Sequence, residues 1–497
     1  MKFLKGKKIL LVGLGKLGGG VATAKFLIEN GAKLTVMDLN SAEELRNSLL
    51  KLKGLKLKYI LGEHREKDFK NNEIIICNQA VSVYNKWVQF ARKNKKQIET
   101  DLSLMLKILE KKKPQMEYIA ITGTRGKTTT ATWIHHFLKP AFIGGNIPEL
   151  APLKVLNKIL GKGYSDRSEE SQRSFRVLQN DRVKPLVLEI PSYQLEYFKL
   201  NKNLKAPKVA VITNLYIDHL NRHGNMENYA LVKSRIFSNQ TKSDFLILNF
   251  DIDNDLFLKQ KAKSKIYYVS LKSLPTDKNG LYFYGDGIYF QQDKKNDFIT
   301  LAPNFSQHQK YNLLMALLAV YLYGDNKWDK LVEKISTLPE VKFRQEVVLK
   351  IKKMTVINDS AATSPEATIA AIERFKNQKD KMVMITGGTD KELDFKNLAK
   401  EINKNIAPEN LYLLNGTGTQ KLIMELINNK FPKTTFRKEE RNEMSQKFQL
   451  FEGLEDIIKK IKKRKDINCI VFSPGAASFE KFKNEFDRGQ KFNKLIK

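Results

Sequence analysis

The sequence predicts an α/β protein whose 497 residues form three consecutive domains, since a domain holds about 150 residues on average. Three observations predict this class. A strand pattern followed by glycines and a helical pattern opens the chain, a second glycine-rich loop follows an apolar run near residue 120, and strand and helix patterns alternate again from residue 339 onward. Such alternation is typical of parallel sheets covered by helices. We therefore place the domains at residues 1–113, 114–338 and 339–497.

The opening residues 8–38 have the pattern of a Rossmann-type unit. Gly13, Gly15 and Gly18 fit G-x-G-x-x-G between an apolar strand and an amphipathic helix, and Asp38 ends the next strand. Such a loop places a pyrophosphate at the helix N-terminus, whichever nucleotide carries it. An NAD-dependent dehydrogenase would therefore explain this segment, but nothing later in the chain.

Two further patterns complete the first domain. The stretch "NEIIICNQAVS" predicts a strand that ends in a polar turn. Residues 92–114 predict one helix that ends in a basic linker before Pro114.

The second domain begins with a phosphate loop, Gly123 to Thr128, between the strand 118–121 and a helix. It is shorter than a full Walker A loop, because Ile121 stands where that motif has its first glycine. Its backbone N–H groups and the helix N-terminus can bind phosphate oxygens. Lys127 would bring a mobile charge to the terminal phosphates, and Thr128 a hydroxyl to Mg²⁺. The sequence thus predicts use of a nucleoside triphosphate.

Polar side chains follow three more apolar strands of this domain, and Lys233 lies on a helix that follows the second of them. Carboxylates and histidines at the carboxyl ends of parallel strands lie where open α/β sheets bind ligands. Beside a phosphate loop, they indicate a magnesium site. The residues are Glu189, then Asn214, Asp218 and His219, then Asn249 and Asp251.

Composition restricts the remaining possibilities. Hydrophobic residues make up 42% of the chain, and the formal net charge is +33. Cys77 and Cys469 are far apart in the sequence, which indicates no disulfide framework and fits a reducing cytoplasm. No apolar run approaches the roughly 18 residues of a membrane span. Lysines are spread along the whole chain, so we expect a surface that favours small anionic substrates rather than nucleic acid. The polar stretch 161–185 predicts an exposed insertion.

The whole chain resembles the Mur ligases, the ATP-dependent amide-forming enzymes of peptidoglycan precursor synthesis. The shortened loop Gly-Thr-x-Gly-Lys-Thr is that family's form of the phosphate loop. Further blocks follow in the family's order: "GGNIP" at 144–148, "LEIPSYQLE" at 188–196, "TNLYIDHLNRH" at 213–223, "HQKYN" at 308–312, "NDSAAT" at 358–363, "GGTDK" at 387–391 and "SPGAAS" at 473–478.

The resemblance implies a fold and an activity. The fold would have an N-terminal Rossmann-type domain that binds UDP, a central parallel-sheet domain that binds ATP, and a C-terminal Rossmann-like domain that binds an amino acid. The closest resemblance is to the branch that adds D-glutamate to UDP-N-acetylmuramoyl-L-alanine through an acyl phosphate, for cell wall biogenesis, cell shape and cell division. We accordingly expect a cytoplasmic monomer with ATP, two Mg²⁺ ions and no nucleic-acid partner.

The resemblance also implies roles for individual residues. The catalytic residues would be Lys127, His219 and Lys233, and Lys233 would carry a carbamate formed from CO₂. The metal ligands would be Thr128, Glu189, His219 and Lys233. The ATP contacts would be Gly123, Thr124, Arg125, Gly126, Lys127, Thr128, Thr129, Asn312, Arg344 and Asp359. The UDP substrate would contact Gly13, Leu14, Gly15, Asp38 and Asn146, and glutamate would contact Thr363, Lys391, Ser478 and Phe479.

The chain departs from the family's pattern at three places that concern substrates. "CNQAVS" at 77–82 replaces a Ser-Pro-Gly turn near the uridine, Ala361 replaces a lysine, and Glu485 stands where an aromatic residue is common. The last two leave open an L-glutamate-adding relative with the same mechanism. A folylpolyglutamate-synthetase-like ligase would share the phosphate loop but not the first domain. A nucleotide-dependent RNA-binding protein would account for the charge, but not for Glu189, His219 and Lys233.

Overall fold

The computed structural model describes most of the chain, and the predicted insertion at 161–185 lies outside it except at its ends. The described residues are 1–147, 149–161, 184–252, 255–258, 260, 262–301, 303, 305–324, 327–351, 354–431 and 448–497. They form two compact units: the first contains Met1–Pro303 and Gln309–Leu338, and the second contains Asn304–His308 and Pro339–Lys497. The α/β class is confirmed. The exact bounds of the three domains stay a prediction.

A five-stranded parallel sheet opens the first unit, with the strand order β3-β2-β1-β4-β5. The order reverses between β1 and β4, which is where open α/β sheets form their ligand crevice. The glycine loop predicted from the sequence follows β1 at this point. The strands are β1 (Lys8–Val12), β2 (Lys33–Asp38), β3 (Lys58–Leu61), β4 (Ile74–Cys77) and β5 (Gln97–Glu99).

The single helix predicted over residues 92–114 is wrong in its first part. Gln97–Glu99 is a strand paired with β4, and the helix begins at Asp101. Thr100 caps this helix, because its hydroxyl accepts the Ser103 N–H at 3.1 Å while its own N–H donates to the Ser103 hydroxyl at 2.8 Å. A three-residue strand is too short to show a period of two, so only the cap could have revealed the boundary.

A nine-stranded sheet forms the rest of the first unit, in the order β14-β13-β12-β11-β10-β9-β6-β8-β7. Its strands run parallel from β7 to β12, as predicted, and β13 and β14 add an antiparallel edge. The strands are β6 (Tyr118–Thr122), β7 (Phe142–Gly145), β8 (Leu186–Glu189), β9 (Val209–Ile212), β10 (Phe245–Asn249), β11 (Lys265–Ser270), β12 (Gly280–Tyr284), β13 (Gly287–Gln292) and β14 (Lys295–Leu301).

The second unit contains a six-stranded sheet in the order β15-β16-β20-β17-β18-β19, in which β15 alone among the described strands is antiparallel. Neighbouring residues of β16 enter different apolar clusters, Val356 in one and Ile357 in the other. Apolar side chains therefore cover both faces, as parallel sheets require. The strands are β15 (Glu346–Ile351), β16 (Met354–Asn358), β17 (Met382–Thr386), β18 (Leu411–Leu414), β19 (Gln449–Phe451) and β20 (Cys469–Phe472).

Helices cover the sheets, and within the described residues none is long and apolar enough to cross a membrane. The α-helices are Gly19–Glu29, Arg46–Leu50, Glu66–Asn71, Lys86–Lys93, Asp101–Lys112, Lys127–Phe137, Pro152–Ile159, Ser192–Leu195, Leu220–His223, Met226–Ser234, Asp255–Leu258, Gln307–Tyr323, Trp328–Glu333, Pro365–Phe375, Lys396–Asn405, Thr417–Asn428, Leu454–Ile461 and Glu485–Ile496. The 3₁₀ helices are Glu196–Leu200, Lys334–Thr337, Lys376–Lys381 and Pro408–Asn410.

A buried ion pair joins the two sheets of the first unit. Arg222 donates from Nε to Glu196 Oε1 at 2.7 Å and from Nη2 to Oε2 at 2.9 Å. Its guanidinium also donates to the carbonyl oxygens of Ala80 at 3.1 Å and Val81 at 3.2 Å, on the turn that follows β4. The side chain of Glu196 is 1% exposed and that of Arg222 12%. The central sheet thereby holds the turn of the first sheet at which "CNQAVS" departs from the family's pattern.

We predict that Glu196→Gln destabilises the protein strongly. The substitution leaves Arg222 buried without a countercharge, a loss that costs about 3–5 kcal/mol. In urea unfolding followed by tryptophan fluorescence, the midpoint should fall well below that of the parent. Glu66→Gln is the control, since Glu66 pairs with Lys70 at the surface and should cost less than about 1 kcal/mol. Equal shifts for the two variants would contradict the role of the buried pair.

Candidate functional site

The phosphate loop lies at the carboxyl end of β6, between that strand and the helix Lys127–Phe137. Gly123 has φ 144° and Gly126 has φ 79°, where L side chains are strained. A Cβ on Gly123 would lie 1.9 Å from the hydroxyl of Thr213, and one on Gly126 would lie 2.4 Å from Oδ1 of Asn312. Both glycines are therefore required by close packing as well as by backbone conformation.

The end of β9 holds the loop in place. Asn214 Oδ1 accepts the N–H groups of Thr124 at 3.1 Å and Arg125 at 2.8 Å. The Thr213 hydroxyl donates to the Arg125 carbonyl at 2.5 Å. The loop conformation is thus fixed by protein contacts. Two of the N–H groups that we predicted for phosphate are engaged by Asn214, which leaves phosphate binding to the helix N-terminus and to side chains.

Lys127 and Thr128 begin the helix that follows the loop. Lys127 Nζ donates to the Thr124 carbonyl at 3.0 Å, so the ammonium group lies over the loop. The Thr128 hydroxyl donates to Glu189 Oε2 at 2.8 Å, and Glu189 is buried at the end of β8. Thr129 is buried in the next position. The structure therefore brings together a hydroxyl and a carboxylate that were each predicted as metal ligands.

Lys233 lies beneath the loop, on the helix Met226–Ser234. Its side chain is 1% exposed, its Nζ donates to the Gly123 carbonyl at 2.8 Å, and Nζ lies 4.4 Å from the ring centre of Tyr229. Burial lowers the pKa of Lys233 well below its usual value, and the charge of Lys127 lowers it further against the opposing effect of Asp218. Burial therefore favours the neutral amine form of Lys233.

His219 directly precedes the short helix Leu220–His223, and its backbone is in a left-handed conformation, with φ 55°. Its Nδ1 lies 2.7 Å from the hydroxyl of Tyr193, and its Nε2 lies 3.6 Å from Asp218 Oδ2. Burial raises the pKa of Tyr193 to about 12, so this hydroxyl keeps its proton and can donate to Nδ1. With Tyr193 as the donor, the neutral form of the ring has its proton on Nε2, on the side of Asp218.

The glycine loop of the first sheet is also tied down. Gly15 N–H donates to Asp38 Oδ2 at 2.9 Å, so Asp38 holds the loop as well as ending β2. Leu14 is fully buried. A Cβ on Gly20 would lie 2.2 Å from the Leu14 carbonyl, whereas one on Gly18 would meet nothing within 4 Å. Of these two glycines, Gly20 is therefore the closely packed one. The G-x-G-x-x-G spacing selected Gly18 instead, although the run "GGG" at 18–20 contains both.

Asn146 lies where the two sheets of the first unit meet. Its N–H donates to the Glu189 carbonyl at 3.0 Å, and its Oδ1 accepts from the Gln79 side chain at 3.0 Å. Asn146 therefore connects the turn at 77–82 with the strand end that carries Glu189.

In the second unit, Asp359 follows β16 in a buried position. Its Oδ1 accepts the Gln345 N–H at 3.0 Å, and its Oδ2 accepts the Ser473 hydroxyl at 2.7 Å. Burial raises the pKa of Asp359 to about 7, although both hydrogen bonds and the charges of Arg344 and Arg374 oppose the rise. Arg344 is half-buried near the start of β15. Asn312, by contrast, belongs to the first unit beside Gly126.

The residues predicted for glutamate also lie in the second unit. Thr363 is half-buried, Lys391 is exposed and Phe479 is 68% exposed. Ser478 is buried, and its hydroxyl has no hydrogen-bond partner among the described residues. Since buried hydroxyls are usually paired, this one is suited to bind a ligand.

Arg488 supports these loops, and our sequence analysis missed it. It is fully buried and donates to both the carbonyl and the hydroxyl of Ser360, and to the carbonyls of Ala476 and Ala477 at 3.1 Å. Burial lowers its pKa to about 10. The sequence did contain a signal for this residue. Arg488 lies four residues before Phe492 in the helix Glu485–Ile496, so it shares the buried, apolar face of that helix.

No group of three or more His, Cys, Asp or Glu side chains arranged for a metal ion occurs in the described parts of the chain. Thr128 and Glu189 nevertheless suit Mg²⁺, which binds through one or two protein oxygens and takes its other ligands from water and substrate phosphates.

Comparisons with known proteins identify two family models in this chain and relatives along its whole length. The family model for the Mur ligase middle domain matches residues 121–320, and that for the Mur ligase MurD-like N-terminal domain matches residues 7–99.

The UDP-N-acetylmuramoylalanine–D-glutamate ligase of Borreliella burgdorferi is 32% identical over 505 residues, covering 99% of this chain and 98% of the relative. The ligase of that name from a Roseiflexus species is 32% identical over 508 residues, covering 99% of both. A solved structure of MurF from Acinetobacter baumannii is similar with a TM-score of 0.56, over 100% of this chain and 92% of that one, but its 12% identity supports the fold alone.

We predict that Gly123→Ala weakens Mg-ATP binding by at least about tenfold, the equivalent of about 1.4 kcal/mol. The added methyl group would overlap the Thr213 hydroxyl and displace the loop. Binding would be measured by calorimetry after circular dichroism has shown that the variant folds.

The matched control is Gly54→Ala, because Gly54 also has a positive φ, 86°, but a Cβ there meets nothing within 4 Å. It should bind Mg-ATP like the parent. Unchanged binding by Gly123→Ala would contradict the packing argument.

Proposed function

This chain belongs to the Mur ligase family, and from that premise we propose that it adds D-glutamate to UDP-N-acetylmuramoyl-L-alanine with conversion of ATP to ADP and phosphate. The observation that carries the proposal is that Glu189 contacts Thr128 and Lys233 contacts Gly123. His219 follows β9, the strand next to β6, which ends in the phosphate loop. The likeness to ligases of that name over the full length supports the choice of substrate.

The first step joins two anions. An oxygen of the alanyl carboxylate attacks the γ-phosphorus, the new O–P bond forms, and the bond from that phosphorus to the β–γ bridging oxygen breaks to release ADP. Lys127 places a positive charge over the phosphate loop, where the transferring group develops charge. The loop itself supplies position, because its conformation is fixed by Thr213 and Asn214.

The second step forms the amide. The glutamate amine attacks the acyl carbon, the C–N bond forms, the C–O bond to phosphate breaks, and the amine proton leaves with the phosphate. The acyl phosphate already contains the leaving group, so no side-chain nucleophile is needed. Thr363, Lys391, Ser478 and Phe479 are the proposed glutamate contacts, and the unpaired Ser478 hydroxyl supports that assignment.

Mg²⁺ fits the site beside the loop. Thr128 and Glu189 would hold one ion, and when bound it supplies positive charge that offsets the phosphoryl oxygens. We propose His219 as a contact of the metals or of the muramoyl-alanine end. A metal contact through Nε2 requires the ring to give up the tautomer set by Tyr193.

We also propose that Lys233 carries a carbamate. Its neutral amine can attack CO₂, forming an N–C bond and releasing a proton, which converts the lysine into an anion. The low pKa caused by burial supports this step, because only the unprotonated amine is nucleophilic. A carbamate oxygen would then be a ligand of the second Mg²⁺.

The other assignments remain proposals of the same kind. Gly13, Leu14, Gly15 and Asp38 would bind the UDP end, and Asn146 would lie near the muramoyl-alanine end. Arg344, Asp359 and Asn312 would contact ATP.

We place the enzyme in the cytoplasm as a monomer, and we place domain bounds at 113/114 and 338/339. Ala361 and Glu485 keep an L-glutamate-adding activity as the second candidate.

We predict that the purified protein releases phosphate from Mg-ATP in the presence of UDP-N-acetylmuramoyl-L-alanine and D-glutamate, and that Lys127→Ala and His219→Ala abolish this release while the proteins stay folded. Phosphate would be measured with D-glutamate, L-glutamate or no amino acid. Release with L-glutamate alone would preserve the mechanism and reverse the stereochemistry. Parental activity in either variant would contradict the assigned roles.

We predict that Lys233→Ala loses nearly all activity and that short-chain carboxylic acids restore part of it, since their carboxylate can occupy the position of the carbamate. The same acids should not restore Lys127→Ala, which lacks a positive charge instead. Rescue of both variants, or of neither, would count against a carbamate on Lys233.

A further inference from the structure

A basic cavity lies at the β5 edge of the first sheet, away from the phosphate loop. Its volume is about 630 Å³. One wall is formed by residues 92–99, from the end of the helix Lys86–Lys93 through β5, and the other by residues 199–203, which end and follow the 3₁₀ helix Glu196–Leu200. None of the site residues predicted from the sequence lines it, so the proposed ligase activity does not account for it.

Positive charge collects in this cavity. Glu99 is the one carboxylate among the described residues that line it. It is fully buried, with Lys107 Nζ 2.5 Å from Oε1 and the Ser103 hydroxyl donating to Oε2 at 2.6 Å. Its charge is therefore balanced by Lys107, while the other cations face the cavity without a carboxylate on its walls. The cationic residues are Arg92, Lys96, Lys107, Lys199 and Lys202.

Neutral groups hold two of these cations in place. Lys96 Nζ donates to the Lys70 carbonyl at 2.6 Å, and Lys199 Nζ lies 3.9 Å from the ring centre of Tyr84. Both contacts orient the side chains without cancelling their charge. A second cavity of about 480 Å³ shares Gln97 and Lys107 with the first and adds three lysines, so the basic surface continues beyond it. These are Lys7, which pairs with Glu73, and Lys95 and Lys111.

The chemistry of the walls defines the ligand. Cations gathered in one cavity repel each other, and a polyanion relieves that repulsion while accepting their N–H groups. The volume is that of a small-molecule site rather than of a nucleic-acid groove. No aromatic side chain lines this cavity among the described residues, so it offers no platform for stacked bases.

We propose that this cavity is an effector site for a small molecule that carries contiguous phosphate groups. Its cations come from both sides of the joint that Arg222 and Glu196 stabilise. Lys199 lies in the 3₁₀ helix that begins at Glu196 and Lys202 follows it, while Arg92 and Lys96 lie on the helix and the turn that precede β5. A bound polyphosphate bridges the two sides and restrains the joint.

The test is calorimetric titration of the full chain with inorganic tripolyphosphate, in a Lys127→Ala background that removes the cation of the phosphate loop. Adding Arg92→Ala and Lys199→Ala should weaken binding by at least about tenfold, since each lost cation removes charge-assisted hydrogen bonds. The control pair is Lys53→Ala with Lys56→Ala, which removes the same charge from exposed positions before β3, at the opposite edge of the sheet. It should change the affinity by less than about twofold.

Three outcomes overturn the proposal: no binding of tripolyphosphate, equal weakening by the two pairs, or displacement by an equal concentration of orthophosphate. Competition by a nucleoside triphosphate supports the proposal. If the nucleoside triphosphate binds more tightly than tripolyphosphate, a nucleotide is the preferred source of the phosphates. With Lys127 restored, Arg92→Ala/Lys199→Ala should release phosphate at the parental rate without effector, which shows that the variant is folded.

Discussion

The rest of the site depends on the hydrogen bonds that fix the phosphate loop to the two residues after β9. Thr213 and Asn214 make hydrogen bonds to the Arg125 carbonyl and to two loop N–H groups, and the Thr213 hydroxyl approaches Gly123 too closely for any side chain there. Lys233 donates to the Gly123 carbonyl from a different element. Because these partners are buried or half-buried and an unpaired buried group costs about 1–3 kcal/mol, the contacts stabilise the observed loop conformation. They thereby position the Lys127 ammonium group over the loop.

A continuous series of contacts connects this loop to the first sheet. The Arg222 guanidinium lies 4.1 Å from the ring centre of Tyr193, whose hydroxyl orients His219. The same guanidinium binds the carbonyls of Ala80 and Val81. A shift of that turn would therefore reach the histidine through two side chains. This makes the departure "CNQAVS" tolerable, because Arg222 binds main-chain carbonyl oxygens, which any residue supplies.

The sequence predicted what depends on local pattern and missed what depends on distant packing. Strand and helix periods gave the α/β class, and the run from Gly123 to Thr128 gave the phosphate loop, since a short stretch of chain carries the whole signal. The strand Gln97–Glu99 was missed because three residues show no period. Arg488 was missed because its partners, Ser360, Ala476 and Ala477, lie in other loops. The engagement of the Thr124 and Arg125 N–H groups could not be seen either, because Asn214 lies about ninety residues away in the chain.

Burial supports the proposed carbamate on Lys233. Burial and the nearby charge of Lys127 both oppose a protonated lysine there. A neutral lysine contributes one hydrogen bond to Gly123, which many polar side chains could provide. Asp218 is the nearby anion that affects its pKa, and it also lies beside His219 and, at 4.0 Å, Arg125. The proposed carbamate at Lys233 would convert this buried amine into an anion, which is the kind of ligand that a second Mg²⁺ would prefer.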